Sequence, residues 1–270
     1  MDPGIYNISH KDYLSIDAVS NSYLGRLNEC PAAAKIPVET TEAMEIGTAL
    51  HALVLEGQEK FDSLVVVDPE MPKRKDIEKE AWIAWKEEFA IGKTILKQEK
   101  IDNIKRMSDA IWSHPAAMEL LGDGVSEQSL VWRDEETGIL LKSRPDWLPA
   151  RIKGIIPDLK TTSDASKQGF SRSVADFGYD RQAAMYLTGI NTVIPFEQRG
   201  CHYDTFIFIV VEKTPPYRTE VYVLDQGYLD RGFREFRRLL EEEQTCRRLG
   251  KWPHYKDGGV QDLIKPNYIK

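Results

Sequence analysis

Apolar positions in this chain repeat at two intervals, and the change from one to the other divides it. Up to about residue 121 the spacing is helical. Tyr23, Leu24 and Leu27 share one helical face, with Ser20 or Asn21 placed to cap it and Pro31 to end it. Residues 43–57, AMEIGTALHALVLEG, carry Ile46, Leu50, Leu53 and Val54 at the same period, with Gly57 as the stop. A short apolar strand at 64–67 leads into a polar, proline-marked loop. Residues 77–121 then read as helices broken near Gly92 and at Pro115. Trp82, Trp85 and Phe89 are spaced to turn inward on the first, and Ile101, Ile104, Ser108 and Ile111 on the second.

After the Gly-Asp-Gly turn at 122–124 the runs become short and strand-like. Segments 126–134, 137–144, 146–150 and 154–161 are joined by turn-like pieces, as in an antiparallel meander. A polar connection at 163–173 precedes a helix at 175–190. The run at 203–212 is nearly all apolar, which suits a central strand buried on both faces. A more exposed strand at 218–225 and a long helix with Leu229, Phe233, Phe236 and Leu240 on one face follow. The tail after Gly250 reads as irregular. With no internal repeat, the pattern predicts one α/β (α+β) domain over 1–270: a mainly helical part to about 121, a sheet and helices at 122–250, and a tail at 251–270.

Composition narrows the class without naming a function. A chain of 270 residues with 41% hydrophobic and 29% charged side chains is ordinary for a soluble globular protein. It has no apolar run of membrane-spanning length and no basic-then-apolar leader, so a cytoplasmic protein without membrane attachment is expected. Cys30, Cys201 and Cys246 are far apart, which excludes a zinc ribbon and a disulfide framework. A net charge of −7 means that any nucleic-acid contact needs a locally basic groove. Lys73, Arg74 and Lys75 in the loop, and Arg231, Arg234 and Arg238 on the last helix, are the candidates, each reading equally as a solvated face.

Residues 144–160, RPDWLPARIKGIIPDLK, carry the candidate chemistry. On a strand, Asp158 and Lys160 point the same way and Leu159 points opposite. An Asp on one strand, with an acid-x-Lys on the next, supplies hard oxygen ligands for a magnesium ion and a cation beside an attacking water, the requirements of phosphodiester hydrolysis. Around this stretch, His51 lies one step off an apolar stripe, as either a core residue or a ligand. Glu127 is either a surface carboxylate or a third acid beside Asp146 and Asp158. Gln182 and Tyr186 stand four apart on one helix face.

Taken in order, SNSYLGRLNECPAA, GTALHALVLEG, RPDWL, PDLKTT and YDRQAAMYLTG resemble the PD-(D/E)xK nuclease superfamily over about residues 5–240. The closest likeness is to its RecB-like branch with the QxxxY motif, and there to the RecE-type exonucleases (exonuclease VIII) of phages and prophages. The resemblance implies a restriction-endonuclease-like core, a central mixed sheet flanked by helices, with a helical amino-terminal elaboration. It implies Mg²⁺, or Mn²⁺, held by His51, Glu127, Asp146 and Asp158 with the Leu159 carbonyl, and Lys160 acting on the attacking water. Gln182 and Tyr186, with Arg144 and Thr161, would bind substrate. The implied activity is 5′ to 3′ digestion of double-stranded DNA ends by a ring-shaped homo-oligomer, with a RecT-like single-strand annealing protein as partner in recombination. Two other readings are weighed against it. An iron-sulfur nuclease of the same branch needs four cysteine ligands where this chain has three. A nonenzymatic DNA-binding or assembly protein with a decayed nuclease fold sits poorly with the intact acid, acid and lysine set.

Overall fold

The computed structural model describes residues 1–69, 76–195, 197, 200–255, 260 and 262–265. β1 (Gly4–Tyr6) and α1 (His10–Ser15) precede α2 (Asn21–Glu29) and a 3-10 turn at Pro31–Lys35. α3 (Glu42–His51) runs through a π-helical turn at Ala52–Glu56 into α4 (Gln58–Leu64). β2 (Val65–Val67), α5 (Asp76–Phe89), β3 (Thr94–Leu96), α6 (Gln98–Trp112) and α7 (Pro115–Leu121) complete the first half. The second half begins with β4 (Gly124–Ser126), β5 (Ser129–Arg133), β6 (Leu140–Ser143), β7 (Trp147–Pro149) and β8 (Ile155–Thr162). α8 (Lys167–Phe177), α9 (Tyr179–Val193), β9 (Thr205–Glu212), β10 (Thr219–Val223) and α10 (Gln226–Leu249) follow.

β9 lies between β8, its parallel partner, and β10, its antiparallel one. Its side chains alternate between two cores. Phe206, Phe208 and Val210 join Trp132, Met185 and Leu239, while Ile207, Ile209 and Val211 join Leu50, Ile104 and Met107. Helices therefore cover both faces of this sheet, and the all-apolar run predicted to be a central strand is one.

The expected meander does not form. β5 and β6 make an antiparallel hairpin with β1 on its outer side, β4 pairs with β7, and β8 pairs in parallel with β9. The reason is burial: Ile156 and Leu159 of β8 belong to opposite cores, so β8 needs cover on both faces and finds it beside β9.

Three further expectations are corrected. The polar connection at 163–173 is largely helical, because Ser166 caps α8 by accepting from the Gly169 amide at 3.1 Å, and Phe170 and Val174 bury one face. The expected helix at 175–190 begins only at Tyr179, since Gly178 adopts a left-handed φ of 64°. A Cβ there would come within 2.6 Å of the Arg181 guanidinium. In the 77–121 region Thr94–Leu96 is a strand beside β2. Trp82 and Trp85 are half-buried and stack at 5.3 Å, and Phe89 stays 50% exposed, so α5 lies on the outside. On α6, by contrast, Ile101, Ile104, Ser108 and Ile111 are buried as predicted.

α10 buries Leu229, Phe236 and Leu240 but leaves Phe233 39% exposed. The described tail residues form no helix or strand, as expected, but the start of the tail is tied down: the Trp252 indole donates to Glu243 at 2.9 Å, and the Ala32 amide to the Pro253 carbonyl at 3.0 Å. Lys73, Arg74 and Lys75 lie outside the described residues. Among those described, no helix is long and apolar enough to cross a membrane.

Candidate active site

β8 is an edge strand, so the outward N–H and C=O of Leu159 are not used by a neighbouring strand. Asp146, between Pro145 and the first residue of β7, accepts the Leu159 amide on Oδ2 at 2.7 Å. His51, at the last turn of α3, places Nε2 3.0 Å from the Leu159 carbonyl oxygen. The helix is oriented for this by its Thr41 cap, which accepts from the Met44 amide at 3.3 Å, and by buried Ala49 and Leu50. Nδ1 of the same imidazole faces Asp146 at 3.6 Å and Glu127 at 4.0 Å.

Glu127 links β4 to β5 at a φ of 54°, a left-handed conformation that a non-glycine residue holds only where its surroundings over-determine it. Its amide donates to the Asp146 carbonyl at 3.1 Å. Arg144 holds the carboxylate from the other side, with Nε donating at 2.6 Å.

Asp158 and Lys160 share one face of β8, as the alternation predicts. Lys160 Nζ is 2.5 Å from Asp158 Oδ2, and the Gln182 side chain donates to Oδ1 at 2.7 Å. Asp158 is 1% exposed, so both of its oxygens are committed inside the protein. The Tyr179 ring lies 4.9 Å from Lys160 Nζ. Sequence reasoning passed over this tyrosine, although Tyr179, Gln182 and Tyr186 recur at i, i+3 and i+7 along α9.

The charges on these groups depend on one another. Burial alone would lower the His51 pKa, but Asp146 and Glu127 outweigh it and hold the imidazole at about 9. Burial pushes Asp146 upward, against the pull of His51 and with Asp158 adding to the rise. Glu127 is drawn downward in spite of burial, by His51 and Arg144. Burial would lower Lys160 too, yet Asp158 and Asp146 keep it above the ordinary lysine range. Without a metal, then, one protonated imidazole is the cation shared by two carboxylates.

That trio fits a divalent ion. One ligand atom each from His51, Glu127 and Asp146 lie within 4.8 Å of one another. Atoms bound at about 2.1 Å to one small ion stand at most about 4.2 Å apart, so small side-chain rotations close the set. Two carboxylates and a nearby carbonyl suit Mg²⁺ or Mn²⁺. Asp158 is not in the trio; Lys160 and Gln182 hold it beside it.

The remaining predicted residues take different places, with Tyr186 close enough to feel the charges of Asp158, Asp146 and Glu127. Tyr186 packs edge-on against Phe206 with ring centres 6.2 Å apart. Its hydroxyl is raised well above the usual tyrosine range by burial, with Tyr13 and Asp158 adding to it. Arg144 is turned inward: besides Glu127 it donates to Ser129 Oγ at 2.5 Å and to the Ile8 carbonyl at 3.1 Å. Thr161 falls on the Leu159 face of β8, opposite Asp158 and Lys160. In the basic stripe of α10, Arg231 is paired with buried Asp180 at 2.5 Å, and Arg238 with Glu242 and Asn28, leaving Arg234 exposed. The three cysteines are free and lie outside the trio.

A crystal structure from Eubacterium rectale, of a protein provisionally named an exonuclease, matches 97% of this chain and 96% of its own with a TM-score of 0.62. At 14% identity this likeness bears on the fold. The structure of SSO0001 aligns over 79% of this chain and 89% of its own at 13% identity, but its TM-score of 0.31 supports no argument. No curated protein matches the sequence. Residues 20–265 match the PDDEXK-like domain of unknown function (DUF3799), and the chain belongs to that family.

Proposed function

We propose that this protein is a divalent-metal-dependent nuclease that digests linear double-stranded DNA from its ends. The observation that carries the reading is the meeting of the His51, Glu127 and Asp146 trio with the Asp158, Lys160 and Gln182 group across one edge of β8. The name given to the Eubacterium rectale protein supports the exonuclease form of it. The likeness of the sequence motifs to RecE-type enzymes supports 5′ to 3′ polarity, a ring-shaped oligomer and a RecT-like annealing partner in phage recombination.

In this reading His51, Glu127 and Asp146 hold Mg²⁺ or Mn²⁺, with the Leu159 carbonyl beside them. A bound divalent ion supplies Lewis acidity toward the phosphate and lowers the pKa of a water. The chain's own residues do the rest. Hydrolysis forms a bond from water oxygen to phosphorus and breaks one phosphorus–oxygen ester bond, leaving a phosphate and a hydroxyl. The Lys160 ammonium, held above the ordinary lysine range by Asp158 and Asp146, is placed to orient the water and to stabilise the developing negative charge as a donor. Gln182 keeps Asp158 turned toward Lys160, and Tyr186 borders the site.

The test is digestion of linear duplex labelled at one end, with and without a 5′ phosphate, in Mg²⁺ or in chelator. Release of label from the 5′ end only in Mg²⁺, and loss of release in Asp146→Asn, is the expected result. Equal digestion by wild type and variant, or digestion in chelator, would sink the proposal.

A further inference from the structure

The amino-terminal segment that precedes the matched family region wraps the hairpin carrying Arg144. At one end β1 pairs with β5, placing Ile5 opposite Leu130 and Tyr6 opposite Ser129. At the other, Val19 bridges Leu141 on the far edge of β6, its amide donating to the Leu140 carbonyl and its carbonyl accepting the Lys142 amide, both at 2.9 Å. Residues 7–18 therefore cross from the outer edge of β5 to the outer edge of β6.

Lys142 of β6 and Arg144, one residue beyond its end, fasten this crossing. Lys142, 6% exposed, donates its ammonium to the carbonyls of Tyr13 at 2.9 Å, Leu14 at 3.1 Å and Ile16 at 2.7 Å. These carbonyls lie at the carboxyl end of α1, where the helix dipole favours a cation. Arg144, two residues after Lys142, donates to the Ile8 carbonyl with the guanidinium that also holds Glu127. The buried Tyr13 ring sits over both cations, 4.9 Å from Lys142 Nζ and 5.6 Å from the Arg144 guanidinium carbon. The guanidinium is thus held by the amino-terminal segment on one side and grips a left-handed glutamate on the other.

We infer that residues 4–19 are a strap that positions Glu127 for metal binding through Arg144, with Lys142 and Tyr13 as positioning residues. The inference rests on the metal site proposed above. Outer partners of metal ligands typically change affinity by about 10- to 100-fold when removed, and the strap supplies such partners from outside the matched region of 20–265.

The test measures Mn²⁺ binding to the full chain, without DNA, from the paramagnetic resonance signal of free Mn²⁺. Lys142→Met removes the latch, Tyr13→Leu removes the ring, and Tyr13→Phe keeps it. Lys142→Met and Tyr13→Leu, with wild-type circular dichroism, should bind Mn²⁺ about tenfold more weakly, while Tyr13→Phe binds as wild type does. In the digestion assay the first two should lose kcat with KM for DNA unchanged. Wild-type Mn²⁺ affinity in a folded Tyr13→Leu or Lys142→Met protein would overturn the strap's role alone. So would failure of both to fold, because the segment would then serve the fold as a whole. Absence of Mn²⁺ binding by the wild type would overturn the metal site, and the strap's role with it.

Discussion

Asp134 and Asp146 lie near opposite ends of the same hairpin, with side chains exposed to nearly the same small extent, 10% and 12%. Their acidities have moved in opposite directions. Burial would raise Asp134, but Arg237 grips both of its oxygens at 2.7 and 2.9 Å, Thr137 adds two more hydrogen bonds, and the carboxyl is held at about 2. Asp146 has the Leu159 amide and a half-share in His51, faces Asp158, and moves upward. The difference lies in the partner. A carboxylate gripped at both oxygens by a permanently charged guanidinium is part of the scaffold, whereas one that shares a titratable imidazole with a second carboxylate is left with its charge poorly compensated.

The packing of α9 against α10 repeats the first arrangement. Asp180 has Arg231 and Glu235 has Arg181 across the two helices, and Glu243 has Arg247 within α10, at 2.5, 2.5 and 2.8 Å. Each acid there has a cation of its own. Sharing of a partner is not confined to β8, since Arg237 also lies 3.6 Å from Glu136 and 3.8 Å from Glu241, but those two acids are exposed. The acids that share partners around β8 are buried or half-buried, and that burial marks the site more sharply than the count of acidic residues does.

The comparison can be broken in several places. Asp146→Asn should reduce metal-dependent digestion by about 10²- to 10³-fold, yet leave the metal-free melting temperature unchanged or higher, because a poorly compensated buried charge is removed. A clear fall in melting temperature would put Asp146 with the scaffold acids. Lys160→Met should lower kcat by about 10²-fold. It should also destabilise the protein by about 3 kcal/mol, since Asp158 is left buried and unpaired; denaturant unfolding reads the second effect and single-turnover digestion the first.

Proton linkage sharpens the picture of His51. Its folded pKa is raised to about 9, so the imidazole carries a proton near neutrality that a metal must displace. Mn²⁺ affinity should therefore rise by up to about tenfold per pH unit between roughly pH 6.5 and 9, and calorimetry showing a flat profile would remove His51 from the ligand set. The smallest effect on function is expected at the scaffold acid. Asp134→Asn should cost about 2 kcal/mol of stability, lower the melting temperature by about 5 °C, and leave digestion intact. Because the folded pKa of Asp134 is depressed to about 2, its contribution is present above about pH 4 and lost as pH falls toward 2. The gap between wild type and Asp134→Asn should close over that range.

Much of this protein could be read along the chain. Ser20 as a cap, the inward stripe of α6, the doubly buried β9, and Asp158 and Lys160 on one face of a strand are short-range consequences of backbone period. The hidden face of α8 and the outward position of α5 were less legible, because a few buried residues in a polar run, or aromatics that stack on one another, give nearly the same local pattern as their opposites. Hydrogen-bond partners at long range were not legible at all. Only the tertiary structure decides that β8 joins β9, that Asp146 and His51 meet at the backbone of Leu159, and that Arg144 faces Glu127 instead of solvent. The physical reason is that period fixes the side of a strand or helix on which a residue lies, while burial and charge balance, summed over elements far apart in the chain, choose what stands across from it.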